Sequence, residues 1–391
     1  MDLLSLIDML DNFCFLYIGF SVFYLFFFAF LSRFKRSDQY PKAAMFHEIV
    51  VLFPAYKEDQ VIISSLQSFE KQDYPREKYE VVVISDKMSE ETNELISRMK
   101  VHLLRVNFEN SSKAKALNFA IDHVKNRSFD IVVILDADNT VEPDFLEQVN
   151  RAYHAGAMAI QAHRKGKNIS TDVAILDAVS EEMNSSYFRK GHVFIGLSAS
   201  LSGSGMAFDC NWFRENISKV SSAGEDKELE ALLLKQRIYI EYLHHVFVYD
   251  EKVRNTSAFY KQRQRWMAAQ VGSLKTTFKD LPFALFSGNI DYANKILQWM
   301  MLPRVLLLGT IFILSIIVPF VQIEWALKWW GLFVLLLVTF GLAIPKEMDN
   351  RRLEKALRKV PHLFILMFFN LFRLKGAYKK FIHTTHGESE N

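Results

Sequence analysis

The chain has 391 residues and a net charge of +3, and half of its residues are hydrophobic, including 34 Phe. This length has room for one domain of ordinary size together with a membrane region. The apolar residues cluster near both ends and basic residues gather beside them, which favours contact with anionic lipid headgroups and argues against a nucleic-acid-binding protein.

The first predicted element is a membrane span. Residues 12–32 contain no charged side chain, and a helix of that length crosses a hydrocarbon core of about 30 Å. A cleaved signal peptide is the alternative, but the apolar run is too long and no small-residue cleavage site follows it. Arg33, Lys35, Arg36 and Lys42 follow the run. Because basic flanks stay in the cytosol, the N-terminus is predicted to face outward.

Short apolar segments rich in Val, Ile and Leu then alternate with helix-length polar segments. The predicted strands span residues 48–53, 79–85, 102–106 and 130–135. Such alternation is typical of an α/β domain with a mostly parallel sheet and flanking helices. Ligands of these sheets bind beyond the carboxyl ends of the strands. We therefore expect the polar residues at those ends to share one crevice.

Two of these strand ends carry acidic residues. Asp86 ends the second strand, and Asp136-Ala137-Asp138 ends the fourth. A D-x-D triplet arises by chance about once in a chain of this length, but two carboxylates at a strand end are costly to keep ionised without a cation. Their oxygens suit Mg²⁺ or Mn²⁺, with a diphosphate supplying further ligands. The alternative is that these acids cap the following helices.

Two further motifs follow the predicted strands. Gly224, Glu225 and Asp226 precede a helical pattern, where the backbone dipole alone also favours acids. Residues 262–266 read Q-R-Q-R-W, which has the form Q-x-x-R-W. Its second Arg offers a planar cation suited to phosphate oxygens, and its Trp offers a flat apolar face for a sugar ring. A helical Arg-Trp pair beside a membrane is otherwise an interfacial anchor.

The C-terminal third contains two more uncharged runs, residues 305–321 and 329–344. They are predicted to form a hairpin across the bilayer, with Trp325 and Trp329 at its interface. Basic residues follow the second run and return the chain to the cytosolic side. The segment of residues 363–372 is too short to cross the bilayer and is predicted to form a helix lying in the membrane–water interface.

The order of these motifs resembles the membrane-embedded members of glycosyltransferase family 2, which include the cellulose, chitin-oligosaccharide and hyaluronan synthases. The resemblance covers roughly residues 49–386. It implies the GT-A nucleotide-sugar-binding fold, an α/β fold with a mostly parallel sheet and flanking helices, together with transmembrane and interfacial helices. It also implies a multi-pass protein of the cytoplasmic membrane whose active site faces the cytosol.

The resemblance implies roles for individual residues. Asp226 is the expected general base, with Glu225 as its nearest competitor, and Asp138 is the closer metal ligand beside Asp136. The expected donor contacts come from Ala55, Tyr56, Glu58, Asp86, Lys113, Asp136, Gln262 and Arg265. Trp266 is expected to contact the acceptor.

Other positions are weaker predictions. Gly203 and Ser204 would let an acceptor approach the backbone closely, although glycine here serves a tight turn equally well. His163 and Arg164 either face the donor's pyrophosphate or end a strand. The family's Gly before Lys113 is Ser112 here, and His383 and His386 replace the Val and Lys of the family's tail pattern F-x-V-T-x-K. Gating of the site by this tail is therefore not predicted.

These observations predict an inverting transferase that moves a sugar from a nucleotide donor, with UDP expected, to a growing glycan. Transfer of a single sugar to a lipid or lipid-linked acceptor is one alternative, and a non-catalytic nucleotide-binding scaffold is another. Three spans make a slender conduit, so a pore would need a homo-oligomer or an accessory subunit. The predicted divisions are a first span at 1–36, a cytosolic domain at 37–275, an interfacial segment with the hairpin at 276–345, and a tail at 346–391.

Overall fold

The computed structural model describes residues 3–34, 36, 39–348 and 351–371. Its strands are, in chain order, β1 Ile49–Tyr56, β2 Tyr79–Asp86, β3 His102–Val106, β4 Ile131–Ile134, β5 Thr140–Val141, β6 Ala159–Gly166, β7 Met206–Asp209 and β8 Ile240–Asp250. They form an eight-stranded sheet with the order β3-β2-β1-β4-β7-β6-β8-β5.

The first half of this sheet matches the prediction. Strands β1 to β4 pair in parallel at the places where the Val- and Ile-rich segments lie. In the second half β7 runs antiparallel to both β4 and β6, and β5 runs antiparallel to β8. The predicted strands did not include β5 to β8, of which β5 and β7 are too short to show a period of two. The predicted mostly parallel sheet with flanking helices is confirmed.

Helices surround the sheet and extend beyond it. They are, in chain order, α1 Leu3–Leu31, α2 Ile62–Phe69, α3 Glu90–Ser97, α4 Lys113–His123, α5 Phe145–His154, α6 Asp172–Ser185, α7 Gly191–Phe194, α8 Cys210–Asn216, α9 Glu225–Lys235, α10 Thr256–Thr277, α11 Leu281–Phe286, α12 Ile290–Met300, α13 Arg304–Val321, α14 Ile323–Ala343, α15 Arg351–Leu357 and α16 Val360–Leu371. A π-helical turn, Ser186–Lys190, joins α6 to α7.

Strand β1 shows why both faces of the sheet are covered. Val50 and Leu52 belong to one buried cluster, whereas Ile49, Val51 and Phe53 belong to another. Because successive side chains of a strand point to opposite faces, the two clusters lie on opposite sides of the sheet. A continuous apolar strand of this kind is typical of a sheet with helices packed on both faces.

Three helices in the described part of the chain are long and apolar enough to cross a membrane, namely α1, α13 and α14. The N-terminal part of α1 lies beside the start of α14, where Lys328 pairs with Asp11 at 2.5 Å. The N-terminal part of α1 and the turn between α13 and α14 therefore lie at the same end of this helical group. This arrangement agrees with the alternating topology that the basic flanks predict.

The structure adds detail to the predicted membrane region. Trp329 is fully buried, and its Nε1 donates a hydrogen bond to Asp11 Oδ1 at 2.8 Å. It therefore packs against α1. The predicted interfacial helix corresponds to α16 as far as Leu371, while residue 372, Lys35 and the tail with His383 and His386 lie outside the described residues.

The packing of α1 against α7 gives a first testable prediction. A Cβ added at Gly191 would lie 2.3 Å from the backbone oxygen of Phe28 in α1, whereas a Cβ at Gly331 in α14 meets nothing within 4 Å. A backbone atom cannot move aside cheaply, so Gly191→Ala is expected to destabilise the protein by about 1–3 kcal/mol. Thermal unfolding of the detergent-solubilised protein measures this loss.

Gly331→Ala is the matched control and should leave the melting temperature unchanged or slightly raised, because Ala is the better helix former. Equal melting temperatures for the two variants would contradict the close contact between α1 and α7.

Candidate active site

A cleft with a volume of about 560 Å³ opens at the carboxyl ends of β1, β2 and β4. With the exceptions of Ser204 and His163, all the residues predicted to bind or act on ligands line it. They are Ala55, Tyr56, Glu58, Asp86, Lys113, Asp136, Asp138, Arg164, Gly203, Glu225, Asp226, Gln262, Arg265 and Trp266. Residues separated by more than 200 positions thus meet in one hollow.

The first wall of the cleft comes from the ends of β1 and β2. Tyr56 and Asp86 are direct neighbours across the parallel pair, and Asp86 is buried and accepts a hydrogen bond from the Phe108 N–H at 3.3 Å. Lys57 and Lys87 follow the two strands with left-handed φ angles of 55° and 58°. Their ammonium groups lie 5.6 and 5.7 Å from the Tyr56 ring centre. Such backbone strain clusters at functional sites.

The D-x-D triplet occupies the turn after β4. The N–H of Asp136 donates to Asn139 Oδ1 at 3.1 Å and to Ser204 Oγ at 2.9 Å. Asp138 is buried, and its carboxylate accepts from Asn139 Nδ2 at 2.9 Å and from the Glu251 N–H at 2.8 Å. These bonds hold both acids in fixed positions at the edge of the cleft.

Ser204 is one of the predicted site residues that do not line the cleft. It is fully buried, does not line the cleft, and hydrogen-bonds both the Asp136 backbone and Asn139. The prediction that it contacts the acceptor is therefore corrected, because its hydroxyl is used inside the protein. Its position supports the D-x-D turn from behind.

Lys113 connects the two acidic motifs. Its Nζ donates to Asp136 Oδ1 and to the Gly203 carbonyl, and it lies 3.5 Å from Glu225 Oε1. Burial disfavours its charge, but the carboxylates of Asp136 and Glu225 outweigh that effect and raise the pKa of Lys113. Ser112, which replaces the family's Gly, caps α4 by accepting a hydrogen bond from the Lys115 N–H. The substitution therefore keeps the local helix start intact.

Glu225 and Asp226 form the first turn of α9. The Gly before them is needed for the packing of this helix, because a Cβ at Gly224 would lie 2.8 Å from Ala269 Cβ in α10. Glu225 is buried beside Lys113, whereas Asp226 is half-buried and its Oδ1 accepts from the Lys227 N–H at 2.9 Å. Burial raises the pKa of Glu225 to about 7, against the opposing effect of the Lys113 ammonium.

The raised pKa of Glu225 predicts a pH-dependent stability. In the unfolded chain this carboxyl ionises near its ordinary pKa of 4.5, so between about pH 4.5 and 7 the unfolded state releases a proton that the folded state keeps. As the pH rises through this window, the free energy of unfolding of the donor-free wild type is therefore expected to fall relative to that of Glu225→Gln, which cannot ionise. Thermal unfolding at about pH 5, 6 and 8 measures the difference.

Glu94→Gln is the control for that comparison, because the Glu94 side chain is 60% exposed in a surface pair with Arg98. It should show no such trend. A stability difference between wild type and Glu225→Gln that is the same at every pH would contradict the raised pKa.

Helix α10 carries the Q-x-x-R-W motif. Gln262, Arg265 and Trp266 are three and four positions apart and therefore lie on one face of the helix, and this face lines the cleft. Gln262 Oε1 is buried and has no hydrogen-bond partner in the described part of the chain. A buried acceptor without a partner is costly, which points to a ligand that donates to it.

The residue inside the motif that the sequence did not single out is Arg263. It forms an ion pair with Asp177 of α6, and its guanidinium lies 4.4 Å from the Trp266 ring centre. Arg263 therefore holds Trp266 against the wall of the cleft. Arg263 occupies a variable position of the motif and its partner Asp177 is on another helix, so the sequence alone gives no indication of this role.

His163 and Arg164 differ in their access to the cleft. Arg164 lines the cleft and pairs with Asp250, while His163 is buried between the His244 carbonyl and Glu182 and does not line it. Only Arg164 thus has access to a ligand in the cleft.

The acidic turn fits a divalent cation by the chemistry of its donors. Asp136 and Asp138 supply carboxylate oxygens, which Mg²⁺ and Mn²⁺ prefer, and hydrogen bonds orient both groups. No cluster of three or more His, Cys, Asp or Glu suited to a metal occurs among the described residues. A cation bound here would therefore need further ligands from a nucleotide diphosphate or water.

Comparison with known proteins gives a family match over most of the catalytic region. The family model described as "Glycosyltransferase like family 2" matches residues 47–269, which is more than half of the chain. The chain is 25% identical over 232 residues to a beta-monoglucosyldiacylglycerol synthase of Trichormus variabilis, which covers 56% of the chain and 48% of that protein. It is 37% identical over 99 residues to a poly-beta-1,6-N-acetyl-D-glucosamine synthase of Staphylococcus aureus, which covers 25% of the chain and 23% of that protein.

The chain therefore spans less than half of the length of these curated relatives. Among solved structures it is similar to a mannosyltransferase from Pyrobaculum calidifontis in complex with GDP-Man and Mn²⁺. The identity is 20%, the TM-score is 0.54, and the match covers 87% of this chain and 99% of that one. This similarity confirms the predicted GT-A fold.

Proposed function

Since the chain belongs to glycosyltransferase family 2, we propose that it transfers a sugar from a nucleotide donor to an acceptor presented at the membrane. The observation that carries this proposal is the single cleft in which Asp86, Asp138, Asp226 and Arg265 meet. Tyr56 and Asp86 bind the nucleoside of the donor, for which we propose UDP. The Q-x-x-R-W helix supports assignment to the membrane-embedded branch of the family.

The reaction proceeds by one displacement that inverts the anomeric centre. Asp226 accepts the proton of the acceptor hydroxyl as that oxygen bonds to the anomeric carbon. The bond from that carbon to the diphosphate oxygen breaks, and Arg265 donates hydrogen bonds to the departing phosphate oxygens. Asp136 and Asp138 would hold Mg²⁺ or Mn²⁺, which when bound neutralises charge on the leaving diphosphate.

The acceptor has two candidates. The Q-x-x-R-W motif favours extension of a glycan, and the similarity to a poly-N-acetylglucosamine synthase supports it. The second candidate is a lipid or lipid-linked acceptor. The apolar wall that the cleft shares with α13, α14 and α16 and the similarity to a glucosyldiacylglycerol synthase support this second candidate.

The proposed location is the cytosolic face of the cytoplasmic membrane, in line with the basic residues that flank the candidate spans. A homo-oligomer or accessory subunit is proposed only for the case of a polymer product. A non-catalytic scaffold is disfavoured because it would not need a retained base and a retained pair of metal carboxylates.

The experiment is a donor screen on the purified protein with radiolabelled UDP- and GDP-sugars in the presence of native lipid extract. Released nucleotide and product mass are read together. A ladder of product lengths supports glycan extension, whereas a single-sugar lipid product supports the second candidate. Release of no nucleotide from any donor, with the protein folded, would reject the proposed function.

A further inference from the structure

The cleft continues from the acidic motifs to the candidate membrane helices. Met267, which follows Trp266, packs in one cluster with Leu306 of α13 and Met367 of α16. Beyond this point the wall contains Leu308 of α13 and Phe340 of α14. Such a wall would strip water from sugar hydroxyls without replacing their hydrogen bonds, but it stabilises a hydrocarbon chain. A chain lying here is continuous with the helices that are long enough to cross the bilayer.

Arg304 contributes a cation to this part of the cleft. Arg304, the first residue of α13, lines the cleft, and its Nη2 donates to the Ser180 carbonyl at 3.0 Å and to the Ser180 hydroxyl at 2.9 Å. Its guanidinium lies 5.3 Å from the Tyr187 ring centre. No carboxylate in the described part of the chain pairs with it, and its buried Nη1 has no hydrogen-bond partner there.

The neighbouring carboxylates already form ion pairs with other residues. Glu181 pairs with Arg189 at 2.9 Å, and Asp177 pairs with Arg263. Arg304 is therefore a positive charge without a carboxylate partner in the described part of the chain, and such a charge is costly away from bulk water. Its position in the first turn of α13 adds to this cost, because the amino end of a helix repels cations and attracts anions. Both effects favour an anion beside Arg304.

We propose that the membrane-facing part of the cleft binds a lipid phosphate acceptor, with Arg304 binding its phosphate and the apolar wall binding its hydrocarbon chain. This inference rests on the proposed function, because it names the acceptor class of that same site. It applies to both acceptor candidates, since a growing glycan can itself be anchored on a lipid phosphate. A planar guanidinium that already donates to Ser180 is suited to phosphate oxygens.

The test measures binding of farnesyl phosphate, farnesol and inorganic phosphate to the full-length protein in detergent. Trp299 and Trp266 line the cleft, so quenching of Trp fluorescence reports occupancy. We expect the wild type to bind farnesyl phosphate roughly 10- to 100-fold more tightly than farnesol, as for a hydrogen bond to a charged group. Arg304→Gln should lose this preference, and Arg304→Lys should keep part of it.

Arg98→Gln is the control, because Arg98 is an exposed surface residue paired only with Glu94 at 3.9 Å among the described residues. UDP affinity is measured on every variant and should be unchanged by Arg304→Gln, which also shows that the variant is folded. Equal loss of UDP and farnesyl phosphate binding would assign Arg304 to the donor and overturn the inference. An affinity for inorganic phosphate as high as that for farnesyl phosphate would also overturn it, and so would equal affinities for farnesol and farnesyl phosphate.

Different experimental outcomes would reject this inference and the proposed function. Binding of farnesyl phosphate through Arg304 with no nucleotide released from any donor would reject the function and support the lipid phosphate site. Donor-dependent transfer by a protein that does not distinguish farnesyl phosphate from farnesol would support the function and reject the site.

Discussion

Asp226→Asn is expected to retain donor binding and to lose sugar transfer by about 10²- to 10⁴-fold, the usual contribution of a general base. The amide cannot accept the acceptor's proton, but its oxygen can still accept the hydrogen bond that Asp226 Oδ1 receives from the Lys227 N–H at 2.9 Å. The first turn of α9 should therefore stay intact. The measurement pairs UDP affinity with the rate of product formation from the labelled donor.

Two other variants complete this experiment. Asp122→Asn changes an exposed Asp on α4 and should leave both quantities unchanged. Glu225→Gln tests the competing base, because Glu225 lies in the same turn but is buried beside Lys113 at 3.5 Å. Wild-type turnover in Asp226→Asn together with lost turnover in Glu225→Gln would transfer the role of base to Glu225.

Asp138→Ala is expected to lose metal-dependent binding of the donor by at least roughly 100-fold, which corresponds to about 2.7 kcal/mol. The change removes one of the two carboxylates that would hold the cation and leaves the Glu251 N–H without the acceptor that it has at 2.8 Å. Without that carboxylate the diphosphate loses the cation that balances its charge. Titration of UDP at several Mn²⁺ concentrations measures the effect.

A chelator should reproduce this loss in the wild type, and added Mg²⁺ or Mn²⁺ should reverse it there but not in the variant. Asp73→Ala, at an exposed position, is the matched control and should behave as the wild type does. UDP binding that is equally tight with and without metal in the wild type would remove the cation from the proposed mechanism.

The sequence predicted that the acidic residues at the strand ends share one crevice, because the information is local. A buried parallel strand requires an apolar run, and the first polar residues after it must lie at the carboxyl edge of the sheet. Asp86 and Asp136 follow such runs, so their convergence follows from the strand pattern. Strands β5 and β7 were not predictable in this way, because β5 has two residues and the four residues of β7 contain no Val or Ile run.

Side-chain environment was less predictable than position. Gly203 and Ser204 are neighbours in sequence, yet Gly203 lines the cleft while Ser204 is fully buried behind the D-x-D turn. The difference depends on how the segment carrying them packs against the end of β4. Arg263 and Arg304 gave no signal for the same reason, since Asp177 and Ser180, their partners on α6, are more than 80 positions away.

The amino-acid sequence by itself determined the α/β class, the candidate membrane helices and the placement of Asp86 and Asp136 at strand ends beside the cleft, because each follows from apolar periodicity. Only the tertiary structure decided which side chains of the cleft contact one another. Lys113 joins Asp136 to Glu225, and Arg304 remains a cation without a carboxylate partner in the described part of the chain. These relations depend on helices packing from distant parts of the chain, and packing is a property of shape and distance that no local pattern carries.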